Sequence, residues 1–168
     1  MNIKIRDETA ADISAIEVVT VSAFLNAAHT SHTEQFIVNA LRNTGQLAVS
    51  LVADAEGTIV GHVAISPVSI SEGAYGWYGL GPISVMPEHQ RRGVGSRLVR
   101  EALHIVRKRD AAGCVVLGEP AFYSRFGFEV DRNLILPGAP PEYFQAISFG
   151  SAHPRGTVSY PSAFDARD

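Results

Sequence analysis

The clearest chemistry in the chain lies in Gln90-Arg91-Arg92-Gly93-Val94-Gly95-Ser96. Gly93 and Gly95 let the backbone come close to a ligand, and Arg91 and Arg92 put positive charge beside it. Immediately afterwards Leu98, Val99, Ala102, Leu103 and Val106 fall on one face of an amphipathic helix. The first turn of such a helix offers unpaired N–H groups and a partial positive charge. Together these features suit a phosphate or a pyrophosphate.

That loop must be held by its neighbours. Before it, Ile83-Ser84-Val85 is a short apolar, β-favouring run closed by Met86-Pro87. After it, Ala111-Ala112-Gly113 ends the helix. Cys114-Val115-Val116-Leu117 then forms a continuous apolar run, which predicts a strand buried on both faces. Strand, crossover helix and strand make a βαβ unit and a locally parallel pair.

The remaining elements follow from periodicity and breakers. Asn2 to Arg6 alternates as a first strand. Thr9 and Asp12 form a capping-box pattern for a helix running towards Phe24, although the β-branched run Val18 to Val21 weakens it. Ser31 or Thr33 caps a second helix with Phe36, Ile37, Ala40 and Leu41 on one face, ended by Gly45. Gln46 to Ala53 and Thr58 to Ser66 read as strands joined by the turn Asp54-Ala55-Glu56-Gly57. Ser71 to Gly79, with three glycines, Tyr75, Trp77 and Tyr78, reads as a loop. Ala121 to Phe126 is a short helix between Pro120 and Gly127. Phe128 to Val130 forms a short strand, and Pro137 to Pro141 a rigid loop. Phe144 to Phe149 and Thr157 to Tyr160 read as a last pair of strands. The order β-α-α-β-β-β-α-β-α-β-β predicts a single α/β domain over residues 1–168 with a mixed sheet.

Composition narrows the function. Apolar residues make up 46% and charged residues 18% of the 168, an ordinary globular balance. A net charge of −3 speaks against a general nucleic-acid binder. The clusters Arg91-Arg92-Arg97-Arg100 and Arg107-Lys108-Arg109 suit a small anionic ligand better, the second also being a solvated helix end favoured by the dipole. One cysteine, Cys114, excludes an internal disulfide and a multi-cysteine zinc site. The N-terminus lacks a signal-peptide shape and no run approaches membrane-spanning length, so a cytoplasmic protein with no membrane partner is expected. His29 and His32 would share a helical face as a metal pair, but with no third ligand nearby a solvated loop is the expectation, and no metal is called for.

Two nucleotide-binding patterns can be weighed against the glycine loop. No Gly-x-x-x-x-Gly-Lys-Ser/Thr is present, which removes a P-loop. In a dinucleotide-binding βαβ unit the glycines follow the strand directly and a third comes three residues on. Here Met86 to Arg92 intervene and Leu98 stands where that glycine would fall, although Glu119 lies in range of a ribose-binding acid.

Ile83-Ser84-Val85, Met86-Pro87 and Gln90-Arg91-Arg92-Gly93-Val94-Gly95 together resemble the GNAT superfamily of N-acetyltransferases, whose acyl-CoA motif is Gln/Arg-x-x-Gly-x-Gly/Ala. The likeness continues through Ser96 to Val99 and resumes at Phe122-Tyr123-Ser124-Arg125-Phe126-Gly127-Phe128. Leu80-Gly81-Pro82-Ile83 and Gly118-Glu119-Pro120-Ala121-Phe122-Tyr123 resemble a subgroup of small predicted bacterial members. The resemblance implies a twisted mixed sheet flanked by helices, whose fourth and fifth strands splay apart to admit acetyl-CoA as cosubstrate. It implies that Gln90, Arg91, Arg92, Gly93, Val94, Gly95 and Ser96 bind the acyl-CoA, with the N–H groups of about Arg92 to Ser96 on the pyrophosphate. The backbone of Ile83, Ser84 and Val85 would pair with pantetheine like an added strand.

Acetyl transfer to an amine needs a base for the nitrogen, a donor for the oxyanion and an acid for the thiolate. The resemblance assigns the acid to Tyr123, which stands where many members carry a tyrosine, and an N–H near Val85 to the oxyanion. It supplies no fixed base. Glu119, just after the fifth strand, is the first candidate and His62 the second, while His89 beside the phosphate loop is poorly placed. With Cys114 inside a strand, direct attack in a ternary complex is expected rather than an acyl-enzyme. The acceptor, a small-molecule or peptide amine, would approach past the loop after the first helix, Trp77-Tyr78 and Pro137 to Phe149. Trp77 and Tyr78 could equally fill the core. A homodimer by C-terminal strand exchange is compatible with this sheet. The rival functions are a non-catalytic acyl-CoA-binding or sensing domain, in which Tyr123 and Glu119 are idle, and a nucleotide-dependent oxidoreductase.

Overall fold

The computed structural model describes residues 2–28 and 30–168. The chain starts with β1 (Ile3–Asp7), followed by α1 (Ile13–Phe24) and α2 (Glu34–Asn43). The Thr9–Asp12 pair is formed: the Asp12 carboxylate accepts the Thr9 N–H at 2.7 Å. It caps a 3-10 turn over Ala10–Asp12 that leads into α1. Arg6 adds two further bonds to Asp12, at 2.7 and 3.1 Å, which tie β1 to the start of α1.

Two antiparallel strands come next, β2 (Val49–Ala55) and β3 (Thr58–Pro67). Their two-residue turn, Glu56-Gly57, has φ of +54° and +98°. Positive φ at both positions matches the right-handed twist of the flanking strands. The expected first strand of this hairpin is displaced: Gln46 to Ala48 precede the ladder, and the ladder runs on through Asp54 and Ala55.

After β4 (Ser69–Ile70) comes the pivotal strand, β5 (Trp77–Val85). The sequence predicts a glycine loop over Trp77 to Gly79. Instead all three pair parallel with β6 (Gly113–Leu117), and Tyr78 and Gly79 also pair antiparallel with β3. Trp77 is buried, and both glycines at this level serve packing: a side chain on Gly79 would meet the Tyr160 ring, and one on Gly113 the Trp77 ring. Close approach, not flexibility, explains them. Trp77 therefore belongs to a core cluster with Ile70, Val115, Leu134, Phe144 and Val158, and Tyr78 packs against the main core.

Helix α3 (Val94–Lys108) crosses from β5 to β6 and lays Leu98, Val99, Ala102, Leu103 and Val106 on the sheet, as their spacing predicts. The chain then runs through α4 (Pro120–Tyr123), a 3-10 turn to Phe126, β7 (Glu129–Val130), β8 (Leu134–Ile135), β9 (Phe144–Ser148) and β10 (Gly156–Ser159). The main sheet has the order β1-β2-β3-β5-β6-β9-β7. The last two expected strands both form but do not pair with each other. Strand β9 pairs with β6 and β7, whereas β10 joins β4 and β8 in a separate small sheet. Strand β9 lies between β6 and β7 of its own chain. Among the described residues no helix is long and apolar enough to cross a membrane.

Candidate active site

The parallel pairing of β5 with β6 stops at Leu80 opposite Val116, although β5 continues to Val85. The cause is local. Between Val63 and Ile65 of β3 the register slips against β5, so Gly81 and Pro82 form a bulge. A bulge bends its strand, and Pro82 has no N–H for the ladder. Beyond it β5 stays on β3 and leaves β6, and a cleft of about 630 Å³ opens.

Main-chain groups face this cleft. The Met86 N–H bonds the Val60 carbonyl at 2.8 Å, so Met86 and Ser84 point their backbone at β3. By the alternation of an antiparallel ladder, Ile83 and Val85 point theirs the other way. Both line the cleft. Of the three residues expected to offer backbone there, Ser84 is the exception: its main chain is spent on β3, and its side chain is buried. The Gln90 side chain donates to the Val85 carbonyl at 3.0 Å, which pins the loop to the strand end.

Helix α3 opens with Gly93 at φ +82°, and its first intrahelical bond runs from the Arg97 N–H to the Gly93 carbonyl at 3.1 Å. The N–H groups of Val94, Gly95 and Ser96 therefore have no acceptor within the helix. Arg91 and Arg92 are exposed beside them, Arg91 at φ +62°. A side chain at Gly93 would meet open space, whereas one at Gly95 would touch Phe122 at 3.6 Å and Val85 at 3.8 Å. So Gly93 shapes the turn, and Gly95 keeps the cleft floor open.

The opposite wall is Gly118, Glu119, Phe122, Tyr123 and Arg125. Pro120 starts α4, and the Phe122 and Tyr123 N–H groups both bond the Glu119 carbonyl at 3.1 Å. Tyr123 is 7% exposed. Its ring stands edge-on to Phe122 and Phe128, at 4.9 and 5.9 Å. Burial, with a smaller push from Cys114, raises its hydroxyl to about 12, so it keeps its proton at neutral pH. Glu119 is exposed at the lip.

Arg125, within the aromatic motif and with no role implied by the sequence, also lies here. It donates to the Ser96 hydroxyl at 3.2 Å and stacks on Phe122 at 4.8 Å. It adds a third cation to the mouth of α3, and only the turn after α4 carries it there. Ala23 and Phe24 at the end of α1 complete the lining.

The other sequence candidates lie elsewhere. His62 is 0% exposed, and its Nε2 hydrogen-bonds the Ser50 hydroxyl at 2.8 Å. Burial lowers it to about 4, against the upward pull of Glu8, with Arg42 lowering it further. His89 lies in a 3-10 turn before the loop. His32, at φ +59°, breaks any helix through it, and His29 lies outside the described residues. Among the described residues no three metal-binding side chains converge. Cys114 is fully buried, which pushes its thiol well up and leaves it protonated.

Parallel strands that part beside a charged helix start define the class: this is an acetyltransferase fold. The model described as the Acetyltransferase (GNAT) family matches residues 15–128, and the chain belongs to that family. It is 38% identical to the uncharacterized N-acetyltransferase YhbS of Escherichia coli strain K12 over 116 residues, 68% of this chain and 70% of that one. Among solved structures it is similar to a GNAT family acetyltransferase from Brucella melitensis in complex with acetyl-CoA. There the TM-score is 0.88 and the identity 43%, with 98% of this chain and 99% of the other covered. It is also similar to YhbS from Escherichia coli in complex with CoA, with a TM-score of 0.89, 31% identity, and 98% and 93% covered.

Proposed function

We propose that the protein transfers acetyl from acetyl-CoA to a primary amine by direct attack in a ternary complex. The reading rests on one observation: a single cleft has unpaired helix N–H groups and arginines at one end and a buried, protonated tyrosine at the other. The complexes of the two similar proteins with acetyl-CoA and CoA support the choice of donor.

In this reading the pyrophosphate lies on the N–H groups of Val94, Gly95 and Ser96, among Arg91, Arg92 and Arg125. Pantetheine runs along the open backbone of Ile83 and Val85. The Val85 N–H receives the oxyanion, since the Val85 carbonyl is already occupied by Gln90. Tyr123 gives its proton to the departing thiolate; a hydroxyl kept neutral by burial is a ready donor at pH 7. Glu119 collects the cationic acceptor at the lip and takes its first proton. Cys114 is buried and takes no acyl group.

The test is release of free CoA from acetyl-CoA with a panel of amines. Turnover with at least one amine, and an acetylated product by mass, is the expected result. Tight CoA binding with no acetylation of any amine would instead make this a sensing domain.

A further inference from the structure

The cleft has two halves. The transferase reading gives one of them to acetyl-CoA: the strand residues Ile83 and Val85, the loop with Gly93 and Gly95, and the tyrosine helix with Arg125. What is left of the lining is Ala23 and Phe24 at the end of α1 and Gly118 and Glu119 after β6. These four face whatever brings the nitrogen.

The sheet sets the side from which it comes. Cys114 and Val116 of β6 pack in the core beneath α3, and Val115 packs in the separate cluster around Trp77. Side chains alternate along a strand, so Leu117 points with Val115, away from α3. Helix α1 lies on that same face. Its Ile16 packs on Val52, whereas Leu51 and Ala53 on either side of Val52 pack in the α3 core. Since α1 packs on β3 and β5, Phe24 and Leu117 stand on one face of the sheet, on opposite banks of the gap between β5 and β6.

This end of the cleft is apolar. Leu117, one residue before Gly118, is 46% exposed, and Leu25, the residue after Phe24, is 63% exposed. A single leucine on a surface is ordinary; two bordering one opening, with Ala23 and Phe24 inside it, make an apolar wall. Negative charge is scarce there. Among the described residues that line the cleft, Glu119 is the only carboxylate, and Arg91 and Arg125 oppose it. The stretch 25–33 after α1 contains no acidic residue. One ammonium can pair with Glu119. A second would meet apolar side chains or a guanidinium, and desolvating an unpaired charge is costly.

We infer that the acceptor is a monoamine, its one primary amine carried on an uncharged apolar body such as an alkyl or arylalkyl chain. Glu119 holds the nitrogen, and Phe24, Leu25 and Leu117 cover the body. This names the substrate class of the transferase reading and rests on it. Phe24 is the main specificity-determining residue, because of those three it alone lines the cleft. The same wall disfavours polyamines and lysine-rich peptides.

The test is a set of initial rates with acetyl-CoA and matched amines. From propylamine to hexylamine, kcat/KM should rise about threefold to fourfold per methylene, the increment for a buried CH₂. Hexylamine should exceed 1,6-diaminohexane at least tenfold in kcat/KM, although the diamine offers two nitrogens. Phe24→Ser should lower kcat/KM for hexylamine at least tenfold and flatten the dependence on chain length. Phe24→Glu, which adds a second carboxylate, should move the preference towards the diamine. Tyr75→Ser, at an exposed aromatic outside the cleft, should alter neither. A flat chain-length series, or a diamine or lysine-rich peptide better than hexylamine, would overturn the inference and leave the transferase reading standing. Acetyl-CoA binding without acetylation of any amine would remove both. The series on the unaltered protein decides the question even should a Phe24 variant fail to fold, and Leu117→Ser, at an exposed position, should also lower kcat/KM for hexylamine.

Discussion

Gly118 and Tyr123 are in contact across the end of β6: a methyl group on Gly118 would run into the edge of the Tyr123 ring. A glycine thus follows the strand because the next helix folds its tyrosine back against it. Gly118→Ala should push the ring out of the cleft wall. We expect a loss of about 1–3 kcal/mol in stability, typical of overpacking, and a fall in kcat larger than in Ala121→Gly at the exposed face of α4. Thermal melts and initial rates on both variants check this.

Tyr123→Phe keeps the ring and removes the proton. Turnover should fall about a hundredfold with little change in KM, and an unchanged rate would free Tyr123 of its role. Stability carries the same signature. The hydroxyl is raised from 10 to about 12 in the fold, so its neutral form is favoured there. Its contribution is complete below pH 10 and lost as pH climbs towards 12. The Phe variant should lose that share of the alkaline decline and keep the part due to Tyr160 and Cys114, which burial also raises.

At the other end of the cleft, Gly93→Asp should abolish CoA binding measured by calorimetry. Space is not the reason, since a side chain there meets nothing. A carboxylate would face the diphosphate, and φ +82° adds strain. Gly93→Ala isolates that strain and should cost about 1 kcal/mol while retaining measurable affinity.

Glu119→Gln removes the carboxylate at the lip. It should flatten the acid limb of the pH–rate profile for amine acceptors. Its side chain makes no capping bond, so the melting temperature should stay within a few degrees. An acid limb unaltered in the variant would reassign the first proton to water.

His62 is held neutral by burial, lowered from 6.5 to about 4. A depressed histidine stabilises the fold fully above pH 6.5 and progressively less as pH falls towards 4. The loss is on the order of 3 kcal/mol for a buried group with that shift. Denaturant titrations of the unaltered protein from pH 7 to 4 should show this decline, and His62→Gln should lack it.

What the chain spells out by itself is local. The loop from Gln90 to Ser96, the helix that follows and the apolar strand after it lie within one run of residues. Their spacing alone makes a βαβ unit and an anion-binding helix start. The type and order of most other elements were legible for the same reason. Tertiary structure decided the rest. The glycines at 79 and 113 look like loop formers until Tyr160 and Trp77 are seen against them. Strand β10 pairs with residues some 90 positions earlier, so no neighbouring pattern announces its sheet. His62, Ser50 and Glu8 stand on separate strands or their ends, each an ordinary polar residue in sequence. Only sheet register brings them within hydrogen-bond reach, because register, not spacing along the chain, sets which side chains share a buried face.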